Sequence, residues 1–423
     1  MMRKERRIKK KKQLYFAMGV LVPLLLALAC TGIFLVRAQI SRPQTEPKLT
    51  RKQPKKATGK PKQSAKSKTK EQTVTITASG DMLYHYVVYG SAFDGKKYDL
   101  ANDFAQIKPL LDKADLALGD FEGTINPNRP LSGYPSFNAP AAVVDSIKDA
   151  GFDVIDLGHN HILDTGIEGL CSTAKAFHDQ GLDTIGVNPD DQKDQGILIK
   201  EIKGIKIALL AYAYGFNGLE NTISQADYDT YLKDLNMDKV AAEIKAAEEL
   251  ADITIVMPQD GVEYALEPTE QQQANYRKMI DLGADIIFGG HPHVAEPTEI
   301  IEKDGQKKFI LYSMGNLLSN QRYETVENYW TERGVIMEVA VTKKGQTTSI
   351  SKIEPHPTWV SREPIEGATY EKDGSQNQSY DYQVFLAEDY CAGGKYAEKV
   401  PKEKQQRIET AYHEMLELLN LQW

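Results

Sequence analysis

Six short polar clusters stand where chemistry could be done. They are Gly80-Asp81, Gly119-Asp120-Phe121-Glu122-Gly123, Gly158-His159-Asn160-His161, Gln259-Asp260-Gly261-Val262-Glu263-Tyr264, Gly289-Gly290-His291-Pro292-His293 and Gly315-Asn316. Their side chains offer carboxylates, imidazoles and amide oxygens, the donors that suit a divalent cation of the Mn, Fe, Zn or Mg kind. Taken singly, each cluster has a plainer reading. Gly-Asp after a strand makes a turn, because Gly tolerates the dihedrals and Asp caps the next helix, and a lone His-x-His pair serves packing as often as ligation. Six in an ordered series, each behind a β-forming run, point to one shared site.

The elements that must position them alternate short β-type runs with amphipathic helices. Strands are expected at Val74–Ser79, Leu116–Leu118, Val154–Leu157, Thr184–Val187, Ile207–Ala211, Ile253–Met257 and Ile286–Phe288, with helices near 103–113, 140–150, 167–180, 237–251 and 269–282. This is an α/β pattern, and ligands of open α/β sheets bind beyond the carboxyl ends of the strands. Segments 308–313 and 334–342, with Asp-Gly and Lys-Lys-Gly turns, read as antiparallel strands completing a second sheet. A mixed two-sheet core with flanking helices is expected.

The chain has 423 residues, 41% of them hydrophobic, enough for one large domain or two ordinary ones. Its net charge of -8 is unevenly spread. About 20 of the Lys and Arg stand in residues 1–70 against Glu5 and Glu46, which leaves the remainder strongly acidic. An acidic domain does not attract nucleic acid, so nucleic acid is excluded as a partner. From Leu14 to Val36 the chain is uncharged and follows Arg3, Lys4, Arg6, Arg7 and Lys9 to Lys12. At about 1.5 Å per residue that run spans a bilayer, and the basic flank keeps the N-terminus in the cytoplasm. Expected domains are a cytoplasmic tail (1–13), a single transmembrane helix (14–36), a Lys- and Pro-rich tether too poor in apolar residues to fold (37–72), an extracellular domain (73–360) and a C-terminal extension (361–423). Cys30 has some look of a lipoprotein cleavage site, but the apolar run continues past it and favours an uncleaved anchor. Cys171 and Cys391 are the two cysteines that could pair outside the cell.

The order Gly-Asp, Gly-Asp, Asn-His, Gly-His-x-His is similar to the calcineurin-like metallophosphoesterase series. More narrowly, Asp120-Phe121-Glu122-Gly123, Asn160-His161-Ile162-Leu163-Asp164-Thr165-Gly166, Gly261-Val262-Glu263-Tyr264, His291-Pro292-His293-Val294 and Tyr312-Ser313-Met314-Gly315-Asn316 resemble the CapA-type poly-γ-glutamate capsule-biosynthesis family over residues 73 to about 345. The resemblance implies a four-layer α/β/β/α sandwich on one membrane helix, working in the making or attachment of poly-γ-glutamate or a related surface polymer. It implies metal-ligand places at Asp81, Asp120, Asn160, His291 and His293, with Asp120 bridging, and a general acid at His161. An imidazole near its ordinary pKa can give up a proton at neutral pH.

Two places depart from the phosphoesterase pattern. Leu83 stands where the first motif has a His, the nearest imidazole being His85, and Gln259 stands where the fourth motif has a ligand His. Gln is a poor ligand for borderline-soft cations, so at least one metal position is expected to be weakened or lost. The family adds Glu122 and Glu263, whose expected roles are acid–base chemistry on an amide bond or, equally, a helix cap or salt bridge. His85, Gln259 and Asn316 are the candidates for substrate contact, while His159 is expected to face away and His178, His356 and His413 to pack or lie at the surface. In the extension, 371–382 reads as a loop. Residues 399–420 read as an amphipathic helix with Ile408, Met415, Leu416, Leu418 and Leu419 on its apolar face, docked on the domain or contacting a membrane-embedded synthase partner. Three functions follow: a polymer-processing or polymer-transferring enzyme acting on an anionic surface polymer, a metallophosphoesterase acting on envelope phosphates, and an idle polymer-binding scaffold.

Overall fold

The computed structural model describes residues 71–189 and 196–423. The expected tail, membrane helix and Cys30 lie outside the described residues, as does all but the end of the tether. Among the described residues, no helix is long and apolar enough to cross a membrane.

In chain order the principal strands and helices are β1 (Gln72–Met82), α1 (Tyr86–Ser91), β2 (Leu116–Phe121), α2 (Ala142–Ala150), β3 (Val154–Asp156), α3 (Gly166–Asp179), β4 (Asp183–Ile185), β5 (Leu198–Ile202), β6 (Ile205–Ala213), α4 (Met237–Leu250), β7 (Ile253–Gln259), α5 (Glu270–Leu282) and β8 (Ile286–Phe288). They continue with β9 (Thr298–Lys303), β10 (Gln306–Leu311), β11 (Asn316–Leu318), β12 (Arg333–Lys344), β13 (Thr347–Lys372), β14 (Ser375–Leu386) and α6 (Lys402–Leu419). One sheet runs β14-β13-β12-β1-β2-β3-β4, with β11 also beside β1, and the other runs β5-β6-β7-β8-β10-β9. In the first sheet the parallel strands β1 to β4 form one half and end at the edge strand β4; in the second, the parallel strands β6, β7, β8 and β10 are central.

Period-two alternation assigns the faces. Ile207, Leu209 and Ala211 of β6 enter one apolar cluster with Ile76, Leu118 and Met337 of the other sheet, which is the core between the sheets. Their neighbours Ala208, Leu210 and Tyr212 turn to Val240, Ile244, Tyr276 and Ile280 of α4 and α5. On the outer side of the larger sheet, Ala117 and Ile155 meet Val143 and Ile147 of α2 and Leu170 and Phe177 of α3. The layers are therefore helices, sheet, sheet, helices. Each fully buried Val, Leu or Ile contributes about 1.5–3 kcal/mol relative to exposure. The helices start where short polar side chains cap them: Asn236 accepts from the amides of Asp238 and Lys239, and Thr269 forms a capping box with Gln272.

Several expectations are corrected. The helix near 103–113 is turns followed by a short helix at Lys108–Leu111, which begins beside Pro109, a residue suited to a helix start because it lacks an amide proton. Segments 308–313 and 334–342 do not share a sheet: β10 runs parallel to β8, whereas β12 runs antiparallel to β1. The loop expected at 371–382 is a hairpin, since β13 and β14 pair through Lys372 and Ser375. Asp373 and Gly374 at its tip have φ of 53° and 78°, the left-handed pair that suits a tight hairpin turn. β13 runs through residue 360, where the extension was expected to begin. α6 docks on the domain, burying Ile408, Ala411, Met415 and Leu419, while Leu416 and Leu418 are half-buried. Cys171 and Cys391 form no disulfide.

Candidate metal centre

The site is assembled by register. Asp81 at the end of β1 lies opposite Asp120 of β2 on one side and Asn316 of β11 on the other, and Asp120 lies opposite Asp156 of β3. Parallel neighbours thus present a row of polar groups along one sheet edge. From the other sheet, Gln259 ends β7 and bridges to Gly290, which follows β8. A Cβ on Gly290 would stand 3.1 Å from Asp120 Oδ2 and 3.2 Å from Asp81 Oδ1, so a side chain there would crowd both carboxylates. His291 and His293 follow with φ of 98° and 58°, the strained left-handed region.

Asp81, Glu122 and His293 form the compact group, with one ligand-capable atom from each lying within 4.8 Å of the others. His293 Nδ1 is 2.9 Å from Asp81 Oδ2, 3.2 Å from Asn316 Oδ1 and 3.8 Å from Glu122 Oε2. Asp81, Asp120 and Glu122 are buried, yet Asp81 Oδ1, Asp120 Oδ1, both Glu122 oxygens and His291 Nδ1 have no hydrogen-bond partner. Burying carboxylate oxygens unpaired is costly. Burial, then Asp156, Asp81 and Glu122, push the Asp120 carboxyl well above its ordinary range. Burial lifts Glu122 to about 7 against the pull of His293. Burial would depress His293, but Glu122 and Asp81 outweigh it and hold it at about 9, while burial and the neighbouring His293 take His291 down to about 3. A neutral His291 keeps a lone pair for a metal. Unpaired carboxylate oxygens beside two imidazoles fit a divalent cation, which would satisfy those oxygens and relieve their repulsion.

Asn160 is held from two sides: Gln259 Oε1 accepts from its backbone amide at 2.7 Å, and Gln259 Nε2 donates to its Oδ1 at 3.3 Å. Gln259 therefore positions Asn160, and its buried amide is engaged there. His161 Nδ1 lies 2.8 Å from Asp164 Oδ2, and its Nε2 lies 3.9 Å from Glu122 Oε1. Burial opposes the imidazolium, but Asp164 and Glu122 prevail and raise its pKa. The Phe137 ring meets His161 edge-on at 4.8 Å, and the Phe137 amide donates to the same Asp164 oxygen.

His161 and His293 open onto a cleft of about 260 Å³ whose lining also includes His85, Phe137, Glu263 and Tyr264. Glu263 is exposed at its rim. His85 lies inside with Nδ1 3.2 Å from the Leu83 carbonyl, and burial takes its pKa down to about 4. Asn316 is buried behind His293, its amide nitrogen donating to the carbonyls of His293 and Thr331. His159 points into the fold, where its Nε2 accepts from the Gly123 amide. His178 meets the Thr184 hydroxyl, His356 lies 3.5 Å from Glu388, and His413 packs on Tyr412.

Four contributors went unassigned in the sequence. Asp156 was legible as an acid inside an apolar strand; burial raises its carboxyl to about 8. Asp164 was legible as the acid three residues beyond His161. Asn217, whose amide links Asn160 and His161 at 3.2 and 3.4 Å, and Tyr214, whose ring lies tilted with its centroid 4.5 Å from that of His291, carry no local signal.

The family model for bacterial capsule synthesis protein PGA_cap matches residues 75–321. The capsule biosynthesis protein CapA of Bacillus anthracis is 27% identical over 59% of this chain and 61% of its own length. The PGA biosynthesis protein CapA of Bacillus subtilis is 27% identical over 66% of this chain and 73% of its own. The chain thus spans less than two thirds of the first of these relatives. Among solved structures, the calcineurin-like phosphoesterase YfkN from Bacillus subtilis is similar at 15% identity over 68% of this chain and 91% of that one, with a TM-score of 0.37.

Proposed function

The chain belongs to the PGA_cap family of bacterial capsule synthesis proteins, and from that premise we propose that it serves the assembly, processing or anchoring of an anionic surface polymer of the poly-γ-glutamate kind, with the strand-end cleft as its working centre. One observation carries the reading of the cleft: Asp81 Oδ1, Asp120 Oδ1 and both oxygens of Glu122 are buried without hydrogen-bond partners close to His293. Asp81, Asp120, Glu122, Asn160, His291 and His293 would hold a divalent cation. Such a cation supplies Lewis acidity toward a carbonyl or phosphoryl oxygen. Asp164 accepts the Nδ1 proton of His161 and fixes the ring, which leaves Nε2 as the atom that delivers a proton to a leaving group. Glu122, 3.9 Å from that nitrogen, favours the protonated ring. The buried Phe137 ring screens it from water.

The proposal includes the place of work. The uncharged run Leu14–Val36 behind eight basic residues supports a single membrane crossing with the folded domain outside, next to membrane-embedded synthase subunits. There the acidic surface repels the emerging anionic polymer, and the cation provides a local point of attraction.

The test combines metal analysis of the purified protein with polymer production in cells carrying Asp120→Asn or His161→Ala. Bound metal in the wild type, and loss of polymer or its attachment in both variants with the protein still folded, is the expected result. Normal polymer in both variants would refute a catalytic site and leave a scaffold. Normal polymer with accumulation of a phosphodiester would mark a metallophosphoesterase instead.

A further inference from the structure

The family match ends at residue 321, but the cleft does not. Asn320, Gln321, Thr325 and Val326 form one wall, and the chain beyond them holds that wall. Tyr382 of β14 donates its hydroxyl to Asn320 Oδ1 at 2.6 Å. Arg407 of α6 makes a fork to Glu332, with Nε at 2.7 Å from Oε1 and Nη2 at 2.5 Å from Oε2, and reaches Glu324 through Nη1 at 2.7 Å. Trp359 donates its indole N–H to the same Glu332 at 2.9 Å. Glu332 is fully buried.

We propose that the C-terminal segment is a working part of the site, and that Arg407 is a positioning residue for His293. The path is short and continuous. Arg407 fixes Glu332; the carbonyl of the adjoining Thr331 accepts from Asn316 Nδ2 at 2.9 Å; and Asn316 Oδ1 lies 3.2 Å from His293 Nδ1. Asn316 also donates to Gln321 in the cleft wall at 3.0 Å, and Gln321 donates to the Tyr264 hydroxyl across the cleft at 3.3 Å. Without Arg407, Glu332 becomes a buried carboxylate facing only Arg322 at 3.6 Å and the Trp359 indole. A carboxylate so stripped of its main partner is driven toward water, and the backbone that moves with it is the one that holds Asn316. The inference rests on the cleft being the site, and it adds that the site's geometry is set from outside the matched segment.

The experiment uses the full chain in detergent with its eight histidines labelled with nitrogen-15, comparing the wild type, Arg407→Ala, Arg407→Lys and Met415→Ala. Met415 is a buried residue of the same helix, placed in the core between the sheets and apart from the ion-pair group. The readouts are the ring nitrogen shifts of His293 without metal, Zn²⁺ affinity by calorimetry, and Tm. Arg407→Ala should move the His293 signals and weaken Zn²⁺ binding at least tenfold. Arg407→Lys should do so in part, because an ammonium cannot fork two oxygens. Met415→Ala should lower Tm and leave both other readouts at wild-type values. If Arg407→Ala lowers Tm but leaves the His293 signals in place, or if Met415→Ala moves them equally, the proposal is overturned. Should Arg407→Ala fail to fold, Arg407→Lys carries the same comparison. A wild type that takes up no Zn²⁺ would sink the cation reading of the cleft, while the His293 shifts would still decide the role of Arg407.

Discussion

Glu122→Gln should stabilise the metal-free protein while weakening the response to metal, an unusual pairing that follows from the burial of this carboxylate without a hydrogen bond. Neither oxygen of Glu122 has a hydrogen-bond partner, so an amide of the same shape forfeits no direct bond. Burial raises its pKa from 4.5 to about 7. The unfolded chain therefore ionises first, and between pH 4.5 and about 7 the folded chain holds more protons. Its stability falls as pH rises across that window and is level above it. At about 1.4 kcal/mol per tenfold, the charge opposes folding by about 3 kcal/mol at pH 8 and by much less at pH 5. Removing it should raise the metal-free Tm by roughly 5 °C at pH 8, with little change at pH 5. Wild type given Zn²⁺ at a hundred times its Kd should gain about 2.7 kcal/mol, and the variant clearly less. Differential scanning calorimetry at the two pH values, with chelator and then with Zn²⁺, reads all four quantities. A variant whose Tm drops equally at pH 5 and pH 8 would refute the reasoning, because its loss would then be one of packing rather than of charge.

Three further outcomes are expected. Asp164→Asn removes the main group that raises the His161 pKa, so the NMR titration midpoint of His161 should fall relative to wild type; an unchanged midpoint would contradict the assigned pairing. Gly290→Ala puts a methyl 3.1 Å from Asp120 Oδ2 and 3.2 Å from Asp81 Oδ1 and should weaken Zn²⁺ binding at least tenfold by calorimetry, with wild-type affinity counting against Gly290 as the floor of the site. Protease added to intact, wall-stripped cells should remove the folded domain, and complete protection would argue against an external location.

The fold was legible where local signals agreed. Apolar runs ending in Gly-Asp or Gly-Gly-His marked the parallel strands, and the polar groups of the site stand directly behind them because a parallel sheet ends its strands on one edge. Glu122 was legible as a carboxylate but not as a neighbour of Asp81 and His293, a closeness created by sheet register and the turn after β8. Gln259 read as a lost ligand, although its amide supports Asn160 from 99 residues away. Pairings such as β10 with β8 and β12 with β1 were illegible because nothing in an apolar run names its partner. At the hairpin tip the Asp373-Gly374 signal was present but outweighed by polar composition, since most of the tip faces solvent and shows no apolar alternation.

Asp81, Asp120 and Glu122 hang from the larger sheet, while His291 and His293 hang from the smaller. A cation held by both sets would act as a rivet through the seam of the sandwich. Its arrival would then register mechanically: amides along the facing edges of β1 and β8 would exchange with solvent more slowly, even where no ligand residue lies. Chelation would loosen the seam from the cleft outward, so a change in metal supply would reach distant parts of the protein as a change in rigidity.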